Sequence, residues 1–224
     1  MSHGGTAGRL EDVFDRLAVQ TPTSVAVQCM RVGQSAESGA EDLASVSWEK
    51  LRSLSLVAAE RLAAELDDEG SGSVSRCIAI MARRSAAWLA TTVAVLRLGK
   101  AFVWMGPGEL PPKGRLAEAR RNQDILEVLQ PDIVVVGSTV AQDFVPDVAA
   151  AVRPPRHCKT VSLASLLPAH AAAPEAPGTG TSSARDNPVM SFMLTGGTTG
   201  RPKCVVVYHA MALHEVAAYP QVLA

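Results

Sequence analysis

Ten residues near the end of the chain, Leu194-Thr-Gly-Gly-Thr-Thr-Gly-Arg-Pro-Lys203, bring together three glycines, three threonines and a lysine. Glycine lets backbone N–H groups turn toward an anion, and threonine hydroxyls and an ammonium add donors and charge. Residue types in that pattern make a phosphate cradle. Its candidate members are Thr195, Gly196, Gly197, Thr198, Thr199 and Gly200, with Lys203 as the charge. Apolar runs over 189–194 and 204–208 predict a strand on each side, so the loop is expected to connect two strands. A Walker A loop, GxxxxGK[ST], does not fit. The lysine follows Gly200 by three residues with Arg201-Pro202 between, no Ser or Thr follows it, and Walker A opens a helix rather than a strand. Pro202 restricts Arg201 to extended backbone and stiffens the exit of the loop.

Other chemistry-bearing residues read more simply as structure. His209 and His214 are five apart, on different sides of a helix, and make a poor metal pair. His157 and Cys158 beside Arg156 read as a loop or strand edge without a catalytic role. Trp48, Trp88 and Trp104 fall in apolar periodic segments and are expected in the core. Arg120-Arg121, with Glu118, Asp124 and Glu127 nearby, and Asp67-Asp68-Glu69 read as solvated helix surface. No metal-ligating set is assigned.

The elements that must hold the loop alternate. Apolar positions Leu10, Val13, Phe14 and Leu17 predict a helix over 10–20, ended by Thr21-Pro22, and 25–30 predicts a strand. Polar, Ser- and Gly-rich residues 31–45 predict an exposed loop. Ser47 is a candidate N-cap for a helix to Glu69, with Leu51, Leu54, Ala58, Leu62 and Leu66 on one face. Strands are expected at 77–81, 101–104 and 132–136, with helices at 85–98, closed by Gly99, and at 115–129. That alternation predicts an α/β fold with a mostly parallel sheet flanked by helices. Residues 1–9 are expected to be disordered, and residues 164–188, loaded with Ala, Pro, Gly and Ser, to form a flexible insertion in a domain covering 10–224.

Composition narrows the class. A net charge of −1 gives no footprint for nucleic acid or an anionic membrane. Four cysteines without a CxxC pair suit a reducing, cytoplasmic setting. The longest apolar stretch, residues 86–96, is shorter than the ~20 residues that span a bilayer.

The string Thr195-Gly-Gly-Thr-Thr-Gly-Arg-Pro-Lys203 resembles the phosphate-binding signature of the adenylate-forming superfamily, [ST]-S-G-[ST]-T-G-x-P-K-G. That superfamily includes acyl-CoA synthetases, adenylation domains of nonribosomal peptide synthetases and luciferases. Val46-Ser-Trp-Glu-Lys-Leu51 and the helix after it are similar to the family's LTYxEL segment, and Ile78-Ala-Ile-Met-Ala-Arg-Arg-Ser85 to VAIxxxRS. Val95-Leu-Arg-Leu-Gly-Lys-Ala-Phe-Val103 is similar to xLKAGxAYVPLDP, and His209 matches a histidine often found after the loop's second strand. The chain departs in three places: Gly196 stands for the usual serine, Cys204 for the closing glycine, and Trp104-Met-Gly-Pro107 for PLDP.

The resemblance implies ATP-dependent activation of an amino, fatty or aryl acid to an acyl-adenylate, with Mg2+ and release of pyrophosphate. Thioester formation on CoA or on the phosphopantetheine of a carrier domain usually follows. It implies that the loop holds the β- and γ-phosphates and that Lys203 offsets charge on the departing pyrophosphate. Loss of such a donor costs ~3 kcal/mol of transition-state stabilisation in comparable sites. The family's adenine-stacking aromatic, Mg2+-holding glutamate, ribose-binding aspartate and acyl pocket follow the loop, as does a small C-terminal domain with a second lysine. After Lys203 this sequence has one carboxylate, Glu215. The expectation is therefore an N-terminal portion that needs its C-terminal half as partner. The competing expectation is a non-catalytic remnant that binds nucleotide weakly or serves as an interaction module. An apolar sheet edge or face is expected to be exposed.

Overall fold

The computed structural model describes residues 8–28, 45–67, 77–106, 112–137, 154–155, 157–167, 187–195 and 203–222. Residues 31–44 of the expected loop lie outside them, as do residues 196–202 and most of the expected insertion, while Ser45 belongs to a strand.

Helix α1 (Leu10–Gln20) leads into β1 (Val25–Gln28), which pairs antiparallel with β2 (Ser45–Ser47). Helix α2 (Trp48–Asp67) follows, and the Ser47 hydroxyl accepts from Lys50 N at 3.3 Å, as expected of its cap. The main alternation is β3 (Cys77–Met81), α3 (Ala86–Arg97), β4 (Ala101–Met105), α4 (Pro112–Leu129), β5 (Ile133–Val136) and β6 (Lys159–Ser162). A short helix α5 (Leu163–Leu166) precedes β7 (Val189–Leu194), β8 (Cys204–Tyr208) and α6 (His209–Val222). The strands order as β6-β5-β3-β4-β7-β8, parallel except for the final β7–β8 hairpin.

Strand alternation explains why the central strands read as continuous apolar runs. Ile78, Ile80, Ile133 and Val135 pack on one face with Ala58 and Leu62 of α2 and Ala94 and Val95 of α3. Ala79, Met81, Val103 and Val134 face the other way, onto Ile125 and Leu126 of α4. A sheet covered on both faces has no polar side to reveal its period. Each fully buried aliphatic side chain contributes roughly 2 kcal/mol. α3 is bounded as its residues require: the Ser85 hydroxyl accepts from Trp88 N at 3.1 Å, and Gly99 adopts φ 66°. Gly99 N donates to Leu96 O and Lys100 N to Val95 O, closing a Schellman motif.

Two expectations need correction. Arg9, assigned to a disordered N-terminus, is buried: its guanidinium donates to Asn187 O at 3.1 Å, Leu96 O at 3.2 Å and Glu11 Oε1. Those carbonyls give the charge a hydrated-like environment inside the fold. Strand β6 and helix α5 carry no clear periodicity in sequence, and α5 falls at the start of the segment read as a flexible insertion. Leu166 is buried because α5 packs on α2 and α3. At the other end of that segment Asn187 Nδ2 donates to Gly99 O at 3.0 Å, fixing the entry to β7. On the last two strands of the sheet, Met193 of β7 and Val205 and Tyr208 of β8 are exposed.

One ion-pair network ties α1, α2 and α3 together. Arg97 donates to both Asp15 oxygens at 2.8 and 2.6 Å, Arg52 Nε adds a bond at 3.0 Å, and Arg97 Nε reaches Ser55 Oγ at 3.1 Å. Burial works to raise the Asp15 carboxyl, but the bonds and charges of Arg97 and Arg52 outweigh it and hold it below 3.8. A depressed carboxylate stabilises the fold above its unfolded value and loses that contribution as pH falls through the lower folded value. Asp15→Asn is expected to cost about 1–2 kcal/mol in urea unfolding at pH 7. The gap to the parent protein should close below pH 3.8. A gap that persists there would assign the effect to packing.

Candidate functional site

The candidate loop sits where its flanking strands demand. β7 pairs parallel with β4 through Phe102↔Ser191 and Val103↔Phe192, and antiparallel with β8 from Val189↔Tyr208 to Leu194↔Cys204. The loop therefore leaves from the carboxyl end of the parallel sheet, the end at which open α/β sheets place their ligands. Thr195 N donates to Lys203 O at 3.0 Å, and Thr195 Oγ1 lies 3.4 Å from the same oxygen. These two contacts close the neck of the hairpin. They hold Thr195 and Lys203, both exposed, side by side with seven residues looped between them. Of the sequence candidates, Thr195 and Lys203 are brought together. Gly196, Gly197, Thr198, Thr199 and Gly200 lie outside the described residues.

Around the neck, α4 supplies groups that sequence reasoning assigned to solvent or passed over. Its apolar stripe runs through Ala119, Ile125 and Leu126, and Asn122 sits on that stripe, buried to 1% exposure. Asn122 Oδ1 accepts from Gly106 N at 3.1 Å and Nδ2 donates to Gly106 O at 2.9 Å, pinning the exit of β4. A Cβ at Gly106 would meet the end of the Glu118 side chain, which would have to move aside to admit it. Arg121 keeps the exposed surface expected of it, yet its Nη2 donates to Leu194 O at 2.9 Å, one residue before the loop. A polar residue on an apolar helical stripe was the available signal for Asn122. Nothing local in the sequence marks Arg121.

Trp104 is more than core. Its indole N–H donates to Ala82 O at 3.2 Å, and the Arg84 guanidinium lies 5.3 Å from its ring centroid. It thereby bridges the exits of β3 and β4, whose following helices α3 and α4 lie on opposite faces of the sheet. Trp48 and Trp88, expected in the core, are partly buried at its margin and pack edge-on against Phe14 and Phe102.

A family model described as AMP-binding enzyme matches residues 14–223. The chain belongs to the AMP-binding enzyme family. Solved structures with the same fold include the Klebsiella oxytoca NpsA N-terminal subdomain, at 16% identity and TM-score 0.60, covering 92% of this chain and 43% of that one. A structure from work on fatty acyl-adenylate ligases of E. coli and L. pneumophila matches at 19% identity and TM-score 0.65, covering 94% and 34%. The O-succinylbenzoate coenzyme A synthetase of Bacillus subtilis, in complex with AMP, matches at 19% identity and TM-score 0.62, covering 97% and 46%. The chain thus spans about a third to a half of the length of these structures. No curated protein matches the sequence.

In this AMP-binding family member the far end of the β7–β8 hairpin is locked by His209. Its backbone N donates to Pro188 O at 3.0 Å, and Nδ1 accepts from Leu10 N at 3.2 Å. The neutral ring therefore carries its proton on Nε2. His214 is exposed on another side of α6, so the two histidines do not converge. Burial first, then the Arg9 charge, hold His209 down to about 4, against a smaller opposing pull from Asp12. Since the unfolded imidazole titrates near 6.5, the unfolded chain takes up that proton first, and stability falls as pH drops from 6.5 to about 4. Glu11, raised above 4.5 chiefly by burial, pulls the other way at the bottom of that window. Asparagine can accept from Leu10 N and cannot titrate, so His209→Asn is expected to flatten the loss of stability between pH 6.5 and 4. Urea midpoints across that range measure it, and an unchanged slope would remove His209 from the titration.

Proposed function

We propose that this AMP-binding family chain supplies the phosphate-holding part of a site in which ATP activates a carboxylic acid. The observation that carries the reading is the closed hairpin neck, which presents Thr195 and Lys203 at the carboxyl end of a parallel sheet. In the proposed reaction a carboxylate oxygen of an amino, fatty or aryl acid attacks the α-phosphorus of ATP. The bond from that phosphorus to the bridging oxygen breaks, leaving an acyl-adenylate and pyrophosphate. Backbone amides and hydroxyls from Thr195 to Gly200 hold the β- and γ-phosphates, and Lys203 offsets charge as pyrophosphate departs. The Thr195 hydroxyl already faces Lys203 O, so its first task is to shape the neck.

Among the described residues no three His, Cys, Asp or Glu side chains come together as a metal site. Mg2+ at nucleotide sites is held by one or two carboxylates and the substrate's phosphates, so in this proposal it enters as Mg-ATP and no step is assigned to a metal held by the described residues. Transfer of the acyl group to CoA or to a carrier domain, a C-terminal half that completes the site, and a cytoplasmic setting complete the proposal. Among the described residues no helix is long and apolar enough to cross a membrane.

A second reading, a non-catalytic nucleotide-binding remnant, draws on Gly196 and Cys204 in place of the family's serine and glycine and on Trp104-Met-Gly-Pro107 in place of PLDP. Binding tests what the two readings share, and exchange would rule out the remnant. The 224-residue chain is expected to bind Mg-ATP in calorimetry, with Lys203→Ala about tenfold weaker, ~1.4 kcal/mol. The chain by itself is expected to show no acid-dependent exchange of labelled pyrophosphate into ATP. Robust exchange abolished by Lys203→Ala would make this chain a complete ligase. Failure to bind Mg-ATP would overturn the phosphate-holding role.

A further inference from the structure

Resting on the proposed phosphate-holding role, we infer that Arg121 is a positioning residue of the Gly-Thr loop. The argument begins with strand geometry. Thr195 N points across to Lys203 O in β8, and successive residues of a strand point their N–H and C=O groups to opposite sides. The Leu194 carbonyl therefore faces the β4 side, where the β4–β7 ladder ends at the Val103↔Phe192 pair. Among the described residues no strand partner reaches it, although Leu194 itself is buried. A buried carbonyl left without a donor costs free energy and leaves the strand end free to shift.

Arg121 meets that need. Ile125 and Leu126, one turn further along α4, pack in the same apolar cluster as Leu194 and so fix the helix against β7. From that footing the guanidinium spans to Leu194 O at 2.9 Å. The strand-to-loop exit is thus held from two sides, by Lys203 O on the Thr195 amide and by Arg121 on the carbonyl just before it. The peptide between Leu194 and Thr195 cannot rotate without breaking one of the two. Asn122, the next residue of α4, makes the equivalent attachment to Gly106 at the exit of β4. One helical turn therefore sets the positions of two neighbouring strand exits. Arg121 remains largely exposed, so removing its side chain opens no cavity.

Amide hydrogen exchange of the ligand-free chain tests the positioning, and pyrophosphate titration tests its consequence. Arg121→Ala is expected to speed exchange of the Thr195 amide about tenfold, the worth of one charge-assisted hydrogen bond. Pyrophosphate affinity should fall by a similar factor, the melting temperature should fall by no more than about 5 °C, the scale of one such bond in a chain of this size, and Arg121→Lys should restore much of both effects. An unchanged Thr195 exchange rate in Arg121→Ala overturns the inference, whatever happens to pyrophosphate. So does a general rise in exchange across the protein with a larger fall in melting temperature, which would make Arg121 a support of the whole fold. If Lys203→Ala weakens pyrophosphate while Arg121→Ala changes neither measurement, Arg121 fails and the phosphate-holding role stands. If Thr195 exchange accelerates as expected but the parent protein takes no pyrophosphate, the positioning stands and the proposed function fails.

Discussion

The site depends on a hairpin held at both ends. At one end Thr195 N and Lys203 O close the neck of the Gly-Thr loop, and at the other His209 N and Pro188 O close the base. Between them β7 is pinned to the parallel sheet through β4, so the neck inherits the rigidity of a core that is buried on both faces. A phosphate cradle made of backbone donors needs this arrangement. Amides offer little discrimination unless the chain arrives in one conformation, and seven residues spanning a fixed gap have far fewer conformations than a free segment.

The outer elements serve the same end. Arg9 reaches from the start of α1 to Leu96 O and Asn187 O, joining the end of α3 to the entry of β7. Asp15, Arg97 and Arg52 bind the three N-terminal helices into one layer. From the opposite face α4 reaches the exits of β4 and β7 through Asn122 and Arg121. Among the described residues, buried Arg9 meets backbone carbonyls and a carboxylate, and buried Glu11 and Asp132 meet Arg9 and Lys100, which is how a charge is tolerated away from water.

Much of this was legible in the sequence where local chemistry decides. The Ser85 cap, the left-handed Gly99 and the apolar runs of β3, β4 and β5 follow from their own residues, and so does the strand-loop-strand form around the Gly-Thr string. The family followed from that string and the segments matched upstream of it. What escaped was set by distant partners. β6 is a polar, four-residue edge strand recognisable only by its pairing with β5, and α5 is a single turn held by its contacts with α2 and α3. Arg9 looked like part of a Gly-rich tail because its carbonyl partners lie 87 and 178 residues away. Arg121, whose partner is 73 residues distant, looked like ordinary helix surface. Long-range hydrogen bonds to backbone carbonyls leave no periodic trace, since any residue can supply the carbonyl.

The central claim is that the segment from Thr195 to Lys203 is a seat for phosphate. Amide chemical shifts recorded while pyrophosphate is added to the isotope-labelled chain test it most directly. The account predicts saturable shifts concentrated at the amides of 195–203, with smaller ones at Gly106 and around Arg121. Shifts confined to other surfaces, or none at pyrophosphate concentrations well above the millimolar range, would contradict it.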